Sequence, residues 1–263
     1  MSENRYLSLI THYSLLITYH ASRFIKEDDC LHLRNNPLTP FIKGEQKVKE
    51  ISDILEKMFG VPERDEVDPL DCLIRTILSQ NTNDINRDKA YDNLRERFPT
   101  WEDVLSADVN EIAKEIRIGG LSKQKSERIK NFLNQLKSER RTLNLDFINE
   151  LETNEAVEFL RQHKGIGVKT AYVTLAFAFG RDVFPVDTHI FRISKRLGFI
   201  PNNCTAEKAH ELMVPLVPQG KAFPFHINLI RFGRKICQAR NPKCNECPIS
   251  DYCLYFLQLK EQI

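Results

Sequence analysis

The stretch "FLRQHKGIGVKTAYVTLAF", Phe159 to Phe177, decides how this chain is read. A helical pattern stops near Arg161. Gly165-Ile166-Gly167 then makes a tight turn, and a second helix opens at about Val168. Glycine at 165 and 167 lets the backbone reverse and lets another backbone come close. The amides that open the second helix have no partner within it. With the helix dipole they form an anion site. A phosphate docked there is held without any base-specific contact. A lone G-x-G is weak evidence, but two flanking helices and a following Lys169-Thr170-Ala171 strengthen it. Lys169 falls in the first turn, where a positive charge opposes the dipole. Such a lysine either pairs with phosphate or, as a free amine, forms a Schiff base with a sugar carbon. Spacing alone favours the first.

Eighteen residues further on comes "PVDTHIFRISKRLG". Asp187 reads as the N-cap of a helix, accepting from the Ile190 amide. If the two helices pack together, both N-termini open on one cleft, and the carboxylate can assist proton transfers beside Lys169. From Arg161 to Gly198 there are seven basic residues and two acidic ones. That local excess, with Lys164 inside the turn, suits a polyanion, or equally a solvated basic face. The net charge of +2 is too small to name a partner.

The rest of the pattern is helical. "VKEISDILEKMFG" carries Val48, Ile51, Ile54, Leu55 and Met58 at helical spacing. "PLDCLIRTILSQNTND", "DINRDKAYDNLRERF", "SADVNEIAKEIR" and "KQKSERIKNFLNQLK" follow, then "TAEKAHELMVPLV" and "FHINLIRFGRKIC" after the basic region. "TAYVTLAFAFG" is apolar almost all round, as a buried central helix is. Strand signal is scarce, so the expected fold is mainly α with short connections. Residues 1–40 differ in character. "NNPLTPF" at 35–41 is turn-rich and reads as a linker after an N-terminal extension without an assigned role.

Seven cysteines are present, four of them in "CQARNPKCNECPISDYC". The spacing Cys237-x6-Cys244-x2-Cys247-x5-Cys253 points to a metal site in a reducing compartment rather than a disulfide framework. Thiolates suit zinc or iron–sulfur clusters. Structural zinc usually takes two tight knuckles set well apart. One compact loop with a Cys-Pro step at Pro248 favours a bulky cluster. Arg240 and Lys243 lie in the same loop, where they can meet a phosphate backbone. A bare electron-transfer centre needs no basic rim. No stretch reaches about 18 apolar residues; "YLSLITHYSLLITY", Tyr6 to Tyr19, is broken by polar residues. With no clear signal peptide, the expectation is a cytoplasmic, nucleoid-associated protein with no membrane partner. Nothing suggests a symmetric apolar interface, so a monomer is expected.

Together these residues resemble the endonuclease III family, within the helix-hairpin-helix DNA glycosylases, over roughly Val48 to Tyr255. The family's hairpin reads close to L-P-G-V-G-x-K-T-A; here it is His163 to Ala171. V-D-T-H stands at Val186 to His189. H-x-x-L-I-x-x-G-R is visible at His226, Leu229, Ile230, Gly233 and Arg234. The resemblance implies a six-helix domain over 62–181. A second helical domain comes from 41–61 plus 182–257, with a DNA cleft between the two. It implies a [4Fe–4S] cluster on Cys237, Cys244, Cys247 and Cys253, Lys169 as nucleophile and Asp187 as its partner. Gly165, Gly167, Lys164, Arg240 and Lys243 are then expected on DNA.

Two departures stand out. His163-Lys164 replaces Leu-Pro, adding charge at the DNA face. "LSQNTND", Leu78 to Asp84, replaces L-S-A-Q-x-T-D, as in plant demethylating glycosylases and some prokaryotic homologues. The family fills the hole left by a flipped base with glutamine; here Gln80 or Asn81 can serve. The resemblance implies a bifunctional glycosylase and AP lyase for damaged, oxidised pyrimidines in duplex DNA. Mispaired thymine or uracil and 5-methylcytosine are the alternative substrates. A non-catalytic damage binder and a plain electron carrier are the alternative classes.

Overall fold

Short polar side chains write half of the twelve helix starts among the described residues. Asp68 accepts from the Asp71 amide at 2.9 Å and Pro69 takes the first position, opening one helix. Asn83, Thr100, Asp108, Thr205 and Asp187 open others in the same way. In chain order the helices are α1 (Gly44–Phe59), α2 (Pro69–Leu78), α3 (Asp84–Arg97), α4 (Trp101–Ser106), α5 (Val109–Glu115) and α6 (Ser122–Arg140). They continue with α7 (Thr153–Arg161), α8 (Val168–Phe177), α9 (Thr188–Leu197), α10 (Ala206–Met213), α11 (Ala222–Lys235) and α12 (Leu254–Glu261). This computed structural model describes residues 44–261. The extension over 1–40 and the linker at 35–41 lie outside the described residues. No strand occurs among those described.

Buried apolar side chains gather in two clusters. One runs from Leu70 to Val183 and holds α2 to α8 together. The other joins Val48, Ile51 and Leu55 of α1 to residues between Phe184 and Cys253. Helix α2 buries seven of its ten residues and packs along α8. There Thr170, Ala171, Thr174 and Ala176 are small enough for close approach. Each buried Leu or Ile contributes about 1.5–3 kcal/mol. The link between α1 and α2 is fastened at both ends. Arg64 Nη1 donates to Phe177 O and Ala178 O, both at 3.1 Å, and so caps the end of α8. Asn228 Nδ2 donates to Gly60 O at 2.9 Å from α11.

The chain after the last cysteine forms α12, which packs on α9. That helix carries no clear start signal in the sequence. It sits against Gly198, which caps α9 with φ +74°, and a Cβ there would run into the Leu254 side chain. Gly198→Ala is therefore expected to cost about 1–3 kcal/mol through strain and overpacking. At roughly 2–4 °C per kcal/mol, the midpoint of a circular-dichroism melt falls by several degrees. Gly60→Ala, equally left-handed at φ +78° but facing open space, loses less.

Candidate active site and cysteine loop

The hairpin between α7 and α8 is built as its glycines require. Gly165 has φ +91°, and a Cβ there would strike the Arg128 side chain. The Ile166 amide donates to His163 O at 3.1 Å, and Ile166 is buried. Gly167 precedes α8 in extended conformation with no side-chain cap, so the first amides of α8 stay available. An open hollow of about 440 Å³ lies here, lined by Arg128, Arg161, Lys164 and both glycines. Lys164 is exposed. His163 differs from its expected role as surface charge. It is 3% exposed, edge-on to Phe132 and Phe159, and its Nδ1 meets Gln135 Oε1 at 2.7 Å. It fills the core position of the family's leucine, so Lys164 alone adds charge to the surface.

Lys169 is the second residue of α8 and is exposed. Among the described residues it makes no ion pair. Asp187 is half-buried at the start of α9, where Oδ1 accepts from the Ile190 amide at 2.8 Å. The second carboxylate oxygen is left for other work. Both residues act electrostatically on one buried ring, His226. Burial lowers its pKa first, Asp187 raises it and Lys169 lowers it further. Two histidines clamp the segment that leads to Asp187. His226 Nδ1 lies 2.9 Å from Pro185 O, and the Val186 amide donates to His210 Nε2 at 3.1 Å.

The loop after α2 separates two neighbours with different roles. Gln80 is engaged at both ends of its amide. Nε2 donates to Gly165 O at 3.1 Å, and Oε1 accepts from Arg128 Nη1 at 2.6 Å. Asn81 is exposed, at φ +53°, a left-handed conformation that asparagine tolerates. Leu121 was not singled out by the sequence reading. It is 44% exposed at φ +48°, an uncommon conformation for leucine. Only its apolar character after Gly119-Gly120 could have drawn attention to it.

The four cysteines of the C-terminal loop line one hollow with Arg196, Ile236 and Phe256. No three His, Cys, Asp or Glu side chains among the described residues close on the position of a single ion. Thiols spread around a hollow suit a polynuclear cluster better than one tetrahedral zinc. Burial pushes the Cys247 thiol up to about 11 and raises those of Cys244 and Cys253, so deprotonation there depends on a ligated cation. Arg196 Nη1 donates to Cys237 Sγ at 3.2 Å. Arg240 and Lys243 are exposed on the same loop. Arg192 joins this loop to α9: it donates to Cys237 O at 2.8 Å, Gly233 O at 3.1 Å and His189 Nδ1 at 3.1 Å.

Helical hairpin, lysine, aspartate and cysteine loop, in this order on this fold, define the class of iron–sulfur helix-hairpin-helix DNA glycosylases. Residues 74–219 match the HhH-GPD superfamily of base excision DNA repair proteins, and residues 237–253 match the iron–sulfur binding domain of endonuclease III. Endonuclease III of Thermotoga maritima is 33% identical, over 73% of this chain and 85% of that protein. An Arabidopsis thaliana protein with DNA glycosylase in its name is 38% identical over 66% of this chain, which spans 59% of that relative. A solved structure described as a trapped endonuclease III–DNA covalent intermediate superposes with a TM-score of 0.70 at 27% identity. The match covers 82% of this chain and 98% of the other. The chain belongs to the endonuclease III family, and its cofactor is a [4Fe–4S] cluster.

His163, His189, His210 and His226 all have pKa values lowered mainly by burial. The unfolded chain therefore binds more protons than the folded one once pH falls below the ordinary imidazole value of about 6.5. Stability is expected to be full above that value and to decline below it, down to the lowered folded values. Thermal melts between pH 8 and pH 5 measure this. His163→Leu, which also removes an unpartnered buried Nε2, is expected to flatten the slope.

Proposed function

We propose that this chain is a bifunctional DNA glycosylase and AP lyase that removes oxidised pyrimidines from duplex DNA. The observation that carries this reading is the joint position of Lys169 and Asp187. Each stands at the start of a helix, both act on the His226 ring, and no carboxylate among the described residues pairs with the lysine. The two hydrophobic clusters are read as the cores of two lobes, 62–181 and 41–61 plus 182–257, with DNA in the cleft between them.

The extruded nucleotide presents its C1′ to Lys169. The Nζ lone pair attacks C1′, and the C1′–N bond to the base breaks. The base leaves with that electron pair and takes up a proton. The amine sheds a proton, the sugar ring opens toward its oxygen, and a C=N bond forms. Loss of a C2′ proton then expels the 3′ phosphate, and water releases the lysine. Asp187 stabilises positive charge at C1′ and receives the proton shed by the amine. The amides opening α8, with Gly165, Gly167 and Lys164, hold a phosphate. Arg240 and Lys243 hold another part of the backbone. Asn81 rather than Gln80 enters the vacated space, because Gln80 is already engaged. Leu121 supplies an apolar wedge beside it. Cys237, Cys244, Cys247 and Cys253 bind the cluster, which keeps the basic loop in shape.

The test is borohydride trapping on duplex DNA with an abasic site. A covalent adduct is expected with the wild type and none with Lys169→Gln. Asp187→Asn is expected to slow strand cutting by about 10²-fold or more. Asn81→Ala is expected to weaken excision of paired damaged bases while Gln80→Ala disturbs the hairpin. Wild-type protein that binds the duplex yet gives no adduct would refute the lyase step. Base release from oxidised-pyrimidine duplexes and from T:G mismatches then separates the substrate readings.

A further inference from the structure

Lys125 of α6 is 0% exposed, a setting lysine tolerates only with partners. Its partners are carbonyls. Nζ donates to Leu78 O at 2.7 Å and to Gly119 O at 2.8 Å. Leu78 is the last residue of α2, and Asn81 follows three residues later. Gly119 closes a 3-10 turn, Arg117–Gly119, and Leu121 follows two residues later. One ammonium thus closes two helix ends whose carbonyls have no other partner among the described residues, and its charge complements the dipole of α2. Each chain segment reverses just beyond: Asn81 at φ +53°, Gly120 at +70° and Leu121 at +48°. Three residues along α6, Arg128 reaches Gln80, which in turn holds Gly165 O. A single helix therefore sets two loops and the hairpin by two cations.

We propose that Lys125 is a positioning residue that fixes the separation of the Asn81 and Leu121 tips, and through it the reading of the base opposite a lesion. This rests on the reading of those tips as the groups that enter duplex DNA. A buried lysine serving stability alone would affect every substrate alike. A positioning lysine affects only substrates that need both tips.

The experiment uses the full chain with its cluster. 2-Aminopurine is placed opposite a stable abasic analogue in a duplex, and fluorescence is read at saturating protein. The wild type is expected to give a clear rise as the tips unstack the probe. Lys125→Met, which keeps the length and loses both donated bonds, is expected to lose most of that rise. It is also expected to cut a duplex abasic site about tenfold or more slowly, while cutting single-stranded abasic DNA at the wild-type rate. Cluster absorbance and a thermal melt verify folding. If the methionine variant does not fold, Gly119→Ala takes its place. The added Cβ would lie 3.2 Å from Ala90 Cβ and 3.9 Å from Lys125 Nζ, and is expected to shift the turn that carries the second carbonyl while the lysine itself is retained. A full rise in a folded variant, or equal loss on both substrates, overturns the positioning role and leaves the glycosylase reading intact. No rise with the wild type removes the premise that the tips enter DNA, and the proposal falls with it.

Discussion

The contact between Arg192 and the carbonyl of Cys237, 2.8 Å long, joins the two chemical halves of this protein. Arg192 stands five residues after Asp187 on α9, and its guanidinium also takes Gly233 O and His189 Nδ1. The two helices come this close because position 233 is glycine. A Cβ there would lie 3.0 Å from the His189 ring. The helix that presents the aspartate and the loop that carries the first cysteine are therefore fastened to each other. Removing such a partly buried cation leaves two carbonyls without this donor, at about 1–3 kcal/mol for each buried group. The cysteine loop is thus tied mechanically to the aspartate.

The approach to Asp187 shows a second kind of rigidity. Residues Val183 to Val186 are buried yet belong to neither helix nor strand. Their polar backbone groups need partners, and buried histidines supply them. His226 pairs with the Pro185 carbonyl and His210 with the Val186 amide. Burial lowers the pKa of both rings and so favours the neutral form, in which each has one donor and one acceptor nitrogen. A charged imidazole would have no acceptor nitrogen for the Val186 amide.

What was legible in the sequence was local. The Asp187 cap spans four residues, the hairpin three, and the cysteine loop seventeen, so their chemistry shows in spacing. What was not legible depends on distant partners. Gln80 and Asn81 look equivalent until Gly165, 85 residues away, and Arg128, 48 away, occupy the glutamine. His163 reads as surface charge because nothing nearby announces Phe132. Lys125 did carry a signal. It falls on the same stripe as Ile129, Phe132, Leu133 and Leu136, all buried. A lysine at helical register with four core residues is placed inside by the helix, and polarity alone hides this.

The second hydrophobic cluster draws α1 from one end of the described chain and α9 to α11 from the other. Glu56 of α1 pairs with Lys221, 165 residues later. On a ribosome working at about 5–20 residues per second, α1 emerges first and finds its partners last. The cluster between Leu70 and Val183 is complete well before then. Until the residues from Phe184 onward follow, the apolar face of α1 lacks the partners that cover it in the finished fold. That interval, set by chain order alone, leaves an apolar face open to a chaperone or to a wrong partner.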